Sequence, residues 1–200
     1  NADLVNEFLT HISAHFKYWD IRLNAGNFFS IPGFKLHQRM NYTLSLGHSY
    51  EELQQQYRDN IRRNITRHHK SGNIISNSLS SVEVLNLAKQ MPAQYGAVSE
   101  EDFNNFNSLT QQLIEKGMAK VYGVKDQAGE LLAGCIFLFS HSRAYYILPA
   151  NHPNGRTRGA SHALIDAFSR DHSQQPLLLD FEGSDISSLA FFYSSFGATE

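Results

Sequence analysis

Two hundred residues suffice for one large domain or two small ones around a real core, and the chain carries 42% apolar and 18% charged residues with a formal net charge of −2. That near-neutral balance argues against general nucleic-acid binding, which needs a basic domain. The single cysteine, Cys135, excludes an internal disulfide and sits in an apolar run, where it reads as a buried, inert thiol.

Residues 1–46 begin with an apolar period at Leu4, Phe8 and Ile12, followed by two strand-like stretches, Phe16–Leu23 and Tyr42–Leu46. Ser49 with Glu52 forms a capping box. It opens a helix over residues 49–70 whose apolar face is Tyr50, Leu53, Tyr57, Ile61 and Ile65, with Arg58, Arg62, Arg63 and Arg67 elsewhere on its surface. A second box, Ser80 with Glu83, starts a helix bearing Leu85 and Ala88, and a third helix after Ser99 buries Phe103, Phe106, Leu109 and Leu113 before Gly117. Met118–Lys125, Leu131–Ser140 and Ala144–Ala150 read as an antiparallel meander. A helix with Ala160, Ala163, Leu164, Ala167 and Phe168 on one face follows, then the strand Pro176–Phe181. A last helix starts at Ser184 or Asp185 and carries Ile186, Leu189, Tyr193 and Phe196. The strand–helix–strand crossover puts Pro176–Phe181 parallel to Ala144–Ala150. The fold class is therefore α/β with a mixed sheet. No apolar run approaches the roughly 20 residues of a membrane span, and no secretory leader is legible, so the cytoplasm is the expected location.

The junction Asn151–Ser161 follows a strand and opens a helix, so its first backbone N–H groups lack intrahelical partners. Gly159, Ala160 and Ser161 are small enough for a ligand to approach that backbone, and Arg156 and Arg158 add positive charge. Such a helix start suits a pyrophosphate, as coenzyme A carries. Close packing of the helix on the sheet explains the same small residues.

Arg156-Thr157-Arg158-Gly159-Ala160-Ser161 resembles the donor loop of the GNAT acyl-CoA N-acyltransferases, Gln/Arg-x-x-Gly-x-Gly/Ala, with Ser161 a departure at the last position. Leu178-Leu179-Asp180-Phe181-Glu182-Gly183-Ser184 and Phe191-Phe192-Tyr193-Ser194-Ser195-Phe196-Gly197-Ala198 are similar to the ending of the Fem-like and cellulose-biosynthesis-associated branch. Tyr57–Ile65 resembles that branch's basic connecting helix. The resemblance implies a GNAT-like fold with acyl-CoA as co-substrate, held by residues 156–161. It also implies a division into residues 1–46 (the tail of a first GNAT-like half), 47–75 (a connecting helix) and 76–200 (a second half), so that the chain reads as part of a longer protein.

GNAT chemistry needs a base or binding carboxylate for the amine and an acid for the departing thiolate. Glu182 and Asp180, at the end of an apolar strand, are the carboxylate candidates, and a strand-end capping role is the alternative for both. Tyr193 stands where many GNAT enzymes carry the proton-donating tyrosine, although it also lies on an apolar helix face. His11 and His15, at i and i+4, lack a third ligand, and no metal is expected. His152 and His162 flank the donor segment. The implied reaction is acyl transfer, of acetyl in the first instance, to an amine of a small molecule, sugar or peptide. The alternatives are Fem-type transfer from aminoacyl-tRNA to a cell-wall precursor, which would make tRNA a partner, and a non-catalytic binding module.

Overall fold

In the computed structural model, residues 2–12, 15–24, 26–27, 30, 32–91, 97–183 and 185–200 are described, and they fall into two compact units, 1–39 and 40–200. In the first unit the opening period forms a helix, α1 (Ala2–Thr10), but Leu4 and Phe8 of that period are exposed and Leu9 is the buried residue. The expected strand Phe16–Leu23 does not form. Phe16 and Tyr18 are exposed, and a strand needs a neighbour to satisfy its backbone.

The second unit is one six-stranded sheet with helices on both faces. Its strands are β1 (Thr43–Ser45), β2 (Ile74–Ser76), β3 (Ala119–Lys125), β4 (Leu131–Ser140), β5 (Arg143–Asn151) and β6 (Leu178–Asp180), in the order β1-β6-β5-β4-β3-β2. All neighbours are antiparallel except β5 and β6, which are parallel as the crossover requires. Thr43–Ser45, expected to belong with the first region, pairs with β6 in this sheet. β2 was not expected: three residues are too few to display an alternation.

The helices follow their caps. Both capping boxes close as expected, at Ser49 for α2 (Tyr50–Gln55) and at Ser80 for α4 (Ser81–Lys89). The single helix expected over 49–70 is instead two, α2 and α3 (Asp59–Lys70). The cause is Arg62, whose guanidinium donates to the carbonyls of Gln54, Gln55 and Tyr57. Meanwhile the Arg58 N–H donates to the Ser195 carbonyl at 2.9 Å instead of continuing the helix. In α5 (Glu100–Glu115) Phe103 is buried, yet Leu109 is 47% exposed and Thr110 is buried in its place. The packed face is turned toward Asn107 and Gln111, because Ser81 of α4 donates to Asn107 (2.7 Å) and accepts from Gln111 (2.8 Å).

Two cores lie on the two sheet faces, as the period of two along each strand dictates. Tyr122, Cys135 and Phe137 point with α2, α3 and α7 (Ala160–Asp171) into one core. Val121 and Ile136 join α4 and α5 in the other. On the first face Phe137 stacks on Phe168 at 3.7 Å, and Tyr122 meets both rings edge-on.

Candidate active site

The site begins where β5 and β6 part. Their pairing runs Arg143–Leu178, Ala144–Leu179 and Tyr145–Asp180 and stops there, while β5 continues to Asn151. On its other edge β5 is kinked. Gly134 faces Ala150 but Ile136 faces Ile147, so Leu148 and Pro149 together oppose Cys135. Leu148 takes φ 53°, Pro149 has no N–H, and the Cys135 thiol donates to the Ile147 carbonyl at 3.2 Å. A bulge of this kind turns a strand away from its old course.

The end of the bulged strand runs into the expected donor segment. His152 accepts the Asn154 N–H and starts the short helix α6 (Pro153–Thr157). Arg158 follows it, and Gly159 precedes α7 at φ 69°. Here the reason for the glycine differs from the expected one. A Cβ at Gly159 would stand 2.3 Å from the Asn64 carbonyl oxygen of α3, so the residue is small to let two helices touch. Ala160 is buried, and the Ser161 hydroxyl donates to the Asn151 side chain, tying the start of α7 to the end of β5. That bond accounts for serine at the departing motif position. Arg158 pairs with Asp126 at 3.3 Å, and Thr157 donates to the Asn154 carbonyl. Arg156 is exposed and has no ion pair among the described residues.

Of the catalytic candidates, Asp180 is 5% exposed and fully engaged. It accepts from Arg143 (2.7 Å), Asn41 (2.9 Å) and the Glu182 N–H (2.9 Å). Glu182 is exposed just beyond the strand, with φ 60°. Tyr193, on α8 (Ser187–Ser194), is buried and stacks on Phe181 at 4.4 Å, with Tyr146 edge-on at 6.4 Å. Burial, and then the nearby Cys135, push its hydroxyl up to about 12, so it stays protonated at neutral pH. These three rings pack on one another in the first core, next to the last β5–β6 pair. Ile186 and Leu189, expected on the buried face of α8, are exposed, and the expected Ser184 cap lies outside the described residues.

Sequence reasoning missed Arg143, Asn41 and Asn151, which anchor the site, since their partners are distant or on other elements. His162, which flanks the donor segment, packs edge-on to Phe192 at 5.0 Å. Burial, and then the charge of Arg67, lower its pKa to about 4. No group of three His, Cys, Asp or Glu among the described residues suits a metal ion. No helix among them is long and apolar enough to cross a membrane.

Compared by sequence, the chain matches no family model and no curated protein. Among solved structures it resembles FemX over 82% of its length, with a TM-score of 0.67 and 16% identity, and covers 60% of that chain. A conserved protein of unknown function from Bacteroides thetaiotaomicron matches over 81% of this chain and 56% of its own, with a TM-score of 0.59 and 12% identity. A C-terminal domain ascribed to a lysylphosphatidylglycerol synthetase of Agrobacterium fabrum matches over 80% and 57%, with a TM-score of 0.53 and 11% identity. The chain thus spans little more than half the length of each of these structures. The mixed sheet with its bulged, diverging β5, taken together with these likenesses, gives the chain a GNAT/Fem-like fold.

Proposed function

We propose that this chain is a GNAT-type N-acyltransferase that moves an acyl group, acetyl in the first instance, from coenzyme A to an amine of a small molecule, sugar or peptide. The observation that carries this reading is the parting of β5 from β6 beyond Tyr145–Asp180, followed by the short helix α6, which bears Arg156, and the start of α7. Arg156 and the free N–H groups at the start of α7 would hold the donor's phosphates. Thr157, Arg158, Gly159, Ala160 and Ser161 would shape that loop. Glu182 would receive the amine's proton, and the neutral Tyr193 hydroxyl would return one to the leaving thiolate.

Two specific observations favour other readings. The likeness to FemX extends over most of the chain and favours an aminoacyl-tRNA donor with a cell-wall precursor as acceptor, while the Asn64 carbonyl beside Gly159 counts against a ligand cradle there. The ring packing next to the last β5–β6 pair favours a non-catalytic binding module.

Thermal unfolding with acetyl-CoA, free CoA and charged tRNA separates the three. A CoA donor at a hundred times its Kd stabilises the fold by about 2.7 kcal/mol, and Arg156→Ala removes that gain while the protein stays folded. A folded chain that ignores every CoA sinks the first reading. A response to charged tRNA supports the second, and silence to both leaves the third.

A further inference from the structure

The buried Asp180 carboxylate draws together three stretches of chain at the point where β5 and β6 part. Arg143 belongs to β5, Asn41 stands just before β1, and the Glu182 N–H lies beyond the end of β6. Three donors on one carboxylate leave it little capacity to accept a proton from anything else. Its effect is instead on the backbone. Glu182 and Gly183 follow at φ 60° and φ 86°, and the first is a conformation that a side-chain-bearing residue adopts only when its surroundings hold it there. A Cβ at Gly183 would meet the Met40 carbonyl oxygen at 2.8 Å, and the Met40 N–H donates to Asp185 at 3.2 Å. The turn is therefore pinned on both sides against the chain entering β1.

We infer that Asp180 is a positioning residue: with Arg143 and Asn41 it fixes the left-handed turn that carries the Glu182 carboxylate just beyond the parting of β5 and β6. The role of that carboxylate toward an amine rests on the acyltransferase reading above, whereas the clasp itself does not. Arg143 takes part because its charge pairs with a carboxylate that is taken out of water. Asn41 shares Asp180 Oδ1 with the Glu182 N–H, and so relays the position of β1 to the turn.

Amide hydrogen exchange, followed residue by residue by NMR, tests the clasp without any activity. The Glu182 amide lies outside every helix and strand, yet in the wild-type chain it exchanges slowly. In Asp180→Ala it exchanges roughly ten- to a hundredfold faster, the range expected for loss of a charged hydrogen bond, while core amides such as that of Phe137 keep their rates. Asp180→Asn, which keeps the side chain's shape, gives the same direction should the alanine variant fail to fold. An unchanged Glu182 rate in folded Asp180→Asn overturns the proposal. The second readout is the pH–rate profile of transfer from acetyl-CoA to a panel of primary amines. Glu182→Gln abolishes the ascending limb, whereas Asp180→Asn keeps the limb and lowers the plateau. Loss of the limb in Asp180→Asn with its retention in Glu182→Gln would make Asp180 the base and overturn the assignment. A chain that transfers nothing defeats the acyltransferase reading alone, and the exchange rates still decide the clasp.

Discussion

β5 has two edges that meet very different neighbours. Toward β4 it pairs from Arg143 to Asn151, interrupted by the bulge at Leu148–Pro149, and the side chains on the first core face are rings and aliphatic groups in van der Waals contact. Toward β6 it pairs only as far as Tyr145. From that point on a buried carboxylate, a buried tyrosine hydroxyl and a left-handed glutamate replace regular pairing. On the first edge the hydrogen bonds are local and repetitive, and stability resides in apolar packing. On the second they are individual and long-range, and each fixes one chemically capable group.

The largest expected effect lies on the closed edge. Phe137→Ala removes a fully buried ring that stacks on Phe168 and meets Tyr122 edge-on, and should cost about 3–5 kcal/mol in urea unfolding. A loss under about 1 kcal/mol would mean that the meander does not hold the core. Next comes Gly159→Ala, which forces a Cβ onto the Asn64 carbonyl at positive φ; about 2–3 kcal/mol is expected, as for overpacking combined with backbone strain. Full stability in that variant would return Gly159 to the role of a ligand cradle.

The third comparison is made with pH. Burial, followed by a nearby charge, lowers His162 to about 4, and burial, followed by His69, does the same to His68. The unfolded chain takes up these protons near pH 6.5, so the stability they contribute is complete above about 6.5 and is lost as pH falls toward 4. Asp166 acts with the opposite sign. Burial raises its pKa despite the Tyr50 hydroxyl bonds at 2.9 and 3.0 Å, so its charge burdens the fold at neutral pH. His162→Gln should therefore shrink the loss of urea midpoint between pH 7 and pH 5. Asp166→Asn should raise the urea midpoint at pH 7. A pH 7 to pH 5 loss that His162→Gln leaves unchanged would place the acid sensitivity elsewhere.

The smallest effect on stability belongs to Tyr193→Phe, which keeps the ring stacked on Phe181 and should change unfolding by less than about 1 kcal/mol. If the hydroxyl serves as the acid, transfer falls by about a hundredfold in the same variant. A full rate would reduce Tyr193 to packing and erase the chemical contrast between the two edges.

Much of this architecture was legible before any coordinates. The three helix caps, the meander and the parallel return strand follow from residues within a few positions of one another: Ser49 with Glu52, Ser80 with Glu83, and the apolar alternation through Val121 to Ile136. The segment Asn151–Ser161 lies between β5 and α7, as its strand-to-helix pattern predicts. The meaning of its residues was not legible. Gly159 looks like a cradle in sequence and is a helix–helix contact in space, and Ser161 looks like a weakened motif and is a tie to Asn151. Leu109 and Ile186 were assigned to the core by spacing alone, although the faces of their helices are chosen by partners such as Ser81 that spacing does not reveal.

What the sequence determined by itself is the meander β3–β5, the capped helices α4 and α5, the helix α7 and the parallel pairing of β5 with β6, since these depend on periodicity, caps and chain connectivity. The tertiary structure decided the break between α2 and α3, the rotation of α5, the bulge opposite Cys135 and the burial of Asp180 beside an exposed Glu182. Each of those depends on a group distant in the chain, such as Ser195 for Arg58 or Arg143 and Asn41 for Asp180. A hydrogen bond across more than a hundred residues leaves no period in the sequence, yet it holds the buried Asp180 carboxylate in place beside the exposed Glu182.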